Sequence, residues 1–130
     1  MKPSVWTQYF GDLTPEQALT ELTAGGFYAA ELSDEHSAEL FSRGDPERVG
    51  AAFGAYARDL GMDLPQGHLI LQCDICGPDA RRTLDTLKGW LTMYRAIGIQ
   101  NAVLHVGAYD TTASPAEILD MRVRALTELT

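Results

Sequence analysis

Thr14-Pro15-Glu16-Gln17-Ala18-Leu19-Thr20-Glu21-Leu22-Thr23-Ala24-Gly25-Gly26-Phe27-Tyr28-Ala29-Ala30-Glu31-Leu32 decides the fold, because it is one whole helix–strand unit. Thr14 reads as a helix N-cap, and Pro15 suits the first turn, where no N–H is missed. Gln17, three residues after Thr14, completes a capping-box pattern. Ala18, Leu19 and Leu22 form a short apolar stripe, and Gly25-Gly26 stop the helix. Phe27 to Leu32 then reads as a strand.

The same punctuation recurs along the chain. Helix starts fall at Asp45-Pro46-Glu47-Arg48, Gly77-Pro78-Asp79 and Ser114-Pro115-Ala116-Glu117, and helix stops at Gly61 and Gly98. Ser4 to Phe10, rich in aromatic and β-branched residues, reads as the first strand. Ser33 to Gly44 is polar, with a short helix around Ser37 to Phe41. In the next helix Val49, Ala52, Phe53, Tyr56, Ala57 and Leu60 share one face of a 3.6-residue period. A third strand lies within Met62 to Leu71, where Pro65 marks short or irregular pairing. The helix over Asp79 to Ile97 turns Leu84, Leu87, Leu91 and Tyr94 inward. Asn101 to Val106 is an apolar run suited to a strand buried on both faces. The last helix starts at Ser114, with Ile118, Leu119, Leu126 and Leu129 as its core residues. Strand–helix alternation of this kind predicts an α/β fold, a (βα)4 parallel sheet with helices packed over it, as one domain over residues 1–130.

Composition narrows the function. Apolar residues make up 45% and charged residues 22% of the 130, the balance of a water-soluble globular chain. No apolar run approaches the roughly 20 residues of a membrane span, and Met1-Lys2-Pro3-Ser4 lacks an apolar signal stretch. A cytoplasmic location without membrane contact is therefore expected. The net charge of −8 and the scattered Lys and Arg count against nucleic-acid binding. Cys73-Asp74-Ile75-Cys76 has no second CxxC to complete a zinc site, and Gly77-Pro78 separates it from the helix that a redox CxxC usually opens. It reads as two loop thiols. No dinucleotide fingerprint, Walker loop, HExxH or nucleophile elbow is present.

Three residues carry chemistry. His68 follows Gly61, and His105 follows Gly98, at the same seven-residue spacing. A helix stop followed by a strand puts both imidazoles at the carboxyl ends of adjacent parallel strands, at equivalent heights. That is the end where α/β sheets and barrels bind ligands. Imidazole suits zinc, manganese or iron, and also hydrogen-bonds sugar hydroxyls and phosphates. Glu31 is a carboxylate in an otherwise apolar strand, so it needs a partner. It is either a site residue or the mate of a buried arginine. Asp34, Glu35 and His36 follow in an acidic loop at the same end, and Gln8 and Tyr9 end the first strand nearby.

Gly26-Phe27-Tyr28-Ala29-Ala30-Glu31-Leu32, Gln66-Gly67-His68-Leu69 and Val103-Leu104-His105-Val106-Gly107 appear in an order that resembles the first half of the xylose-isomerase-like TIM-barrel superfamily. This group holds sugar and sugar-phosphate isomerases and epimerases, inosose dehydratases and the zinc AP-endonucleases. The resemblance implies an eight-stranded barrel of about 250 residues or more, with a divalent metal (Mn, Mg, Co or Zn) at its carboxyl-end face. It implies metal-assisted proton transfer next to a carbonyl of a sugar or sugar phosphate. It further implies that Glu31, His68 and His105 face substrate, and that His68 and His105 are candidate metal ligands, as the corresponding histidines are in the endonuclease branch. The remaining ligands and the catalytic base come from strands beyond this chain in such proteins, so the 130 residues alone are expected to be inactive. A zinc-dependent phosphodiesterase and a non-enzymatic half-barrel assembly module are the alternatives. A four-stranded parallel sheet also leaves two edges unpaired, which invite pairing with another chain.

Overall fold

Thr14 caps the first helix by the predicted box. In the computed structural model, which describes residues 3–71, 73–106 and 112–130, the Gln17 N–H donates to Thr14 Oγ1 and the Thr14 N–H donates to Gln17 Oε1. This opens α1 (Pro15–Ala24). Ser114 and Glu117 repeat the box at the start of α5 (Pro115–Leu129). Between them lie α2 (Asp34–Ser42), α3 (Pro46–Asp59) and α4 (Ala80–Ile97). The strands are β1 (Val5–Trp6), β2 (Ala29–Leu32), β3 (Asp63–His68) and β4 (Asn101–Val103). They form one sheet in the order β1-β2-β3-β4, every neighbouring pair parallel. The alternating (βα)4 reading therefore holds.

Several boundaries differ from expectation. The first strand stops at Trp6, and Thr7–Phe10 winds into a single 3-10 turn. The polar stretch after β2 is a helix from Asp34 onward, because Ser33 accepts from the His36 N–H and supplies the cap. The fourth strand is only three residues long, followed by an isolated bridge between Cys73 and Val106. Gly107, which closes the third resemblance motif, lies outside the described residues.

The core sits between the sheet and α1, α3 and α4. Ala30 and Leu32 of β2, Leu64 of β3 and Leu69 beyond it meet Leu19, Leu22, Phe53, Leu87, Met93 and Tyr94 there. On α3 the buried line runs through Gly50, Phe53, Gly54 and Ala57, while Ala52 is exposed. A Cβ at Gly50 would collide with the Met93 carbonyl, and one at Gly54 with the Ile97 backbone. The two glycines thus let α3 and α4 touch backbone to backbone, and this contact rotates the stripe away from Ala52. On α5 the expected core residues Leu119 and Leu126 are exposed, and Ala125 is the buried one.

One irregularity sets the site. Ala29 pairs with Asp63, but Glu31 pairs with Gln66, so β3 spends three residues where β2 spends two. Pro65 lies in that extra length, where a missing N–H is tolerated. Side chains alternate along a strand, so one extra residue reverses the faces beyond it. Leu64 points into the core before the bulge, and Gly67 and Leu69 after it. Gln66 and His68 consequently point to the opposite face.

Candidate functional site

The register builds the site on the face away from the helices. Trp6 of β1 lies beside Glu31 of β2, Glu31 beside Gln66 of β3, and Gln66 beside Asn101 of β4. Neighbours in parallel register share a face, so these four form a row across the sheet. His68 stands two residues further along the same face, toward the carboxyl ends.

Glu31 is the hub. His68 Nδ1 lies in contact with Glu31 Oε1, and Gln66 Nε2 donates to Glu31 Oε2 at 2.7 Å. Both carboxylate oxygens are therefore engaged. The mate of Glu31 is a histidine and an amide, not the arginine that its apolar strand allowed. The Glu31 side chain is 20% exposed and that of His68 17%, so the pair is largely screened from water yet reachable from one side.

His68 and His105 come together. Their Nε2 atoms are 3.3 Å apart, and the rings are near parallel, 10° between planes with centroids 5.3 Å apart. The two do not share a register level. His68 pairs with Val103, which places His105 two residues further along. The bulge at Pro65 accounts for part of this offset, because it consumes length on β3 that β4 does not spend. The contact survives because β4 ends at Val103 and the exposed His105 side chain leans toward His68.

The spacing suits a shared cation. Two nitrogens each about 2.0–2.1 Å from a tetrahedral zinc stand about 3.3 Å from one another. A carboxylate on the far nitrogen of a ligating histidine is also the usual orienting partner. Among the described residues no three His, Cys, Asp or Glu side chains converge as a ligand group. His68 and His105 would thus be two ligands of an incomplete set, with Glu31 behind them.

The site is held from behind. The buried Tyr94 hydroxyl on α4 donates to the His68 carbonyl and pairs with Ser37 Oγ at 2.7 Å. Burial pushes the Tyr94 hydroxyl well above the ordinary phenol value, so it stays protonated and able to donate. Trp90, Met93 and Tyr94 are buried in the core.

Trp6 is a site residue that the strand reading missed. Its ring centroid lies 5.9 Å from that of His68, and its Nε1 is buried without a hydrogen-bond partner among the described residues. Trp6 closes β1 and pairs with Glu31 near the end of β2, but the first strand read as too long to fix its register. Gln66 was passed over as well, although a polar residue two positions before His68 must share its face. Of the other candidates, Tyr9 is 79% exposed and meets only the edge of Trp6. The Gln8 side chain folds back toward Gly11. His36 is buried, with Nε2 3.1 Å from the Leu13 carbonyl, and plays a structural part. Asp34 and Glu35 occupy the first turn of α2 rather than a loop. Cys73 is buried and Cys76 half-buried; both are free thiols, and burial pushes both up, away from the thiolate. Asp74 Oδ1 accepts from the Cys76 and Gly77 N–H groups, which fixes their turn.

No protein-family model, curated protein or solved structure matches this chain. Among the described residues no helix is long and apolar enough to cross a membrane.

Proposed function

We propose that the Trp6–Glu31–Gln66–His68–His105 face is the first half of a sugar or sugar-phosphate isomerase or epimerase site. The observation that carries the reading is the single file from Gln66 through Glu31 and His68 to His105, at the carboxyl ends of parallel strands. Glu31 gives both oxygens to positioning, so it is not free to act as a base. It holds the proton on His68 Nδ1 and thereby leaves Nε2 as a lone-pair donor. His68 Nε2 and His105 Nε2 are then the two groups placed to take a divalent ion or a substrate hydroxyl. A divalent ion held there would supply polarisation of a carbonyl and its neighbouring hydroxyl. Trp6 offers an apolar ring face beside them, suited to the C–H face of a sugar. The base that moves the proton is assigned to no residue of this chain.

Metal uptake by the chain, followed calorimetrically with Mn2+ and Zn2+, tests the reading. One exchangeable ion, lost when His68→Gln and His105→Gln are combined and weakened roughly tenfold or more by Glu31→Gln, is the expected result. A chain that takes up neither metal defeats the proposal of a shared cation. The Nε2 spacing also favours a second reading, zinc ligation in a phosphodiesterase, against which the charge of −8 stands. Uptake of more than one tightly held zinc, with cleavage of an abasic-site oligonucleotide by the whole enzyme, would decide for it.

A further inference from the structure

The two edges of the sheet are open but unlike. Among the described residues β1 and β4 each have one neighbour, so each leaves a row of backbone N–H and C=O groups unpaired within the sheet. The helices on either side of β4 in the chain are rich in cations. Arg81, Arg82, Lys88 and Arg95 lie on α4, and Arg122 and Arg124 on α5, against four acids on the two helices together. The helices that follow β1 and β2 are the reverse. α1 and α2 carry five acids, and the one cation with them is Arg43 at the end of α2.

An apolar flank accompanies the β4 edge. Glu128 of α5 turns toward α4, where Arg81 and Lys88 bind it. At about 100° per residue, Leu119 stands half a turn round the helix from Glu128, with Val123 and Leu126 close to the same line. These three side chains are 64%, 53% and 41% exposed. The flank they form therefore faces away from α4. In parallel sheets the helix after a strand crosses over toward the next strand with a fixed hand, so this flank of α5 overlooks the position of a strand added to β4. The open edge and the apolar line ask for the same neighbour. The β1 edge supplies one of the right direction, since all four strands run parallel in the order 1-2-3-4. A two-fold axis along the strands would lay β1 of a second copy beside β4, and by the same rotation β4 of that copy beside β1. Eight strands then form a ring, a size whose interior side chains can fill. The ring sets acidic α1 of one copy beside α5 of the other, a complementary match of charge. A contact of α5 with α5 would match like with like and leave both edges open.

We propose that the β4 edge and the Leu119–Val123–Leu126 flank of α5 are an interface for the β1–α1 edge of a second copy of this chain, two copies closing into one eight-stranded ring. The interface does not depend on the sugar reading, since neither histidine enters it. Its effect on the site is to bring a second Glu31–His68–His105 cluster to the same mouth.

The test is sedimentation equilibrium of the whole chain, joined to isotope-filtered NOE spectra of a mixture of labelled and unlabelled copies. The proposal expects a limiting mass of two chains, and intermolecular NOEs that join residues 5–6 to residues 101–103 and Val123 to α1. Val123→Glu should raise the dissociation constant roughly tenfold or more, the scale of losing one buried valine, because it sets an acid against acidic α1. Val123→Lys should raise it by less, because the lysine meets opposite charge. Val123 is exposed in the single chain, so the amide spectra of both variants at low concentration should match the parent and report an intact fold. A chain that stays monomeric up to its solubility limit, growth beyond two copies, or intermolecular NOEs that join α5 to α5 would each overturn the assignment. A lysine variant that dissociates more readily than the glutamate variant would do the same.

Discussion

His68 is fixed at three points, and each belongs to a different element. Glu31 of β2 takes its Nδ1, His105 beyond β4 faces its Nε2, and Tyr94 of α4 binds its carbonyl. The Tyr94 hydroxyl is the only one of these contacts made from the core side. Tyr94→Phe keeps the ring packing but leaves the His68 carbonyl and Ser37 hydroxyl without their partner. Unpaired buried polar groups cost about 1–3 kcal/mol, so chemical denaturation should show a loss of that order. Ser37→Ala should be milder, because it removes one partner and leaves Tyr94 its acceptor. Equal stability of Tyr94→Phe and the parent would mean that the hydroxyl does not anchor the strand end. At this scale the sequence was informative where chemistry is rare. A carboxylate in an apolar strand and two histidines after matched glycines stand out against their surroundings. Trp6 and Gln66 were silent because an aromatic and an amide are unremarkable on a half-buried strand until register shows what they face.

Elements were legible where a local interaction sets the boundary. The capping boxes at Thr14 and Ser114 form as spaced, and Gly98 ends α4 in the left-handed conformation that its position requires. Boundaries set by tertiary pairing were not legible. Pro65 signals an irregularity, but only the register shows that the extra residue reverses the face and turns His68 toward the site. The start of α2 was misplaced because Ser33 and the acids after it suit a loop as well as a capped first turn. Once formed, α2 is tied to α1 by Arg43, whose guanidinium forks onto Glu16 at 2.6 and 2.9 Å and also reaches Glu39 at 2.8 Å. This fork holds the Glu16 carboxyl below its ordinary value of 4.5. The folded chain therefore binds fewer protons at Glu16 than the unfolded chain does, and stability from this pair is full above that value and lost as pH falls through the folded titration. The side chains are about a third exposed, and water screens the pair to about 0.5–1 kcal/mol. Glu16→Gln should be less stable than the parent by that amount at neutral pH. The gap should close as both are taken below pH 4.5. A difference that stays constant down to strongly acid pH would show that the Arg43 pair is not its source.

Burial at the scale of the whole molecule depends on what the next strand does, which is why the last third of the chain was read least well. Ala102-Val103-Leu104 looks like a strand covered on both faces, yet Asn101 and Ala102 are exposed because, among the described residues, β4 has no neighbour on its outer side. Leu119 and Leu126 have the spacing of core residues, and with Val123 they form an exposed apolar line on α5. An apolar edge strand presents unpaired N–H and C=O groups that readily accept another strand, and β1 and β4 offer two such edges facing opposite ways. Their order, 1-2-3-4 and all parallel, allows a β4 edge to continue onto a β1 edge without reversing strand direction. The expected outcome is that the chain associates as its concentration rises in sedimentation velocity. Ala102→Lys, which sets a charge at the exposed edge of the sheet, on the face that Gly67 shares and beside Leu91 and Arg95, should weaken that association, whereas Ala102→Ser should leave it nearly unchanged. The amide spectrum of the lysine variant at low concentration should match the parent, which separates a blocked edge from a damaged fold. If parent and lysine variant sediment alike as monomers across the whole range, the edge is already protected in solution, and the apolar line on α5 needs another explanation.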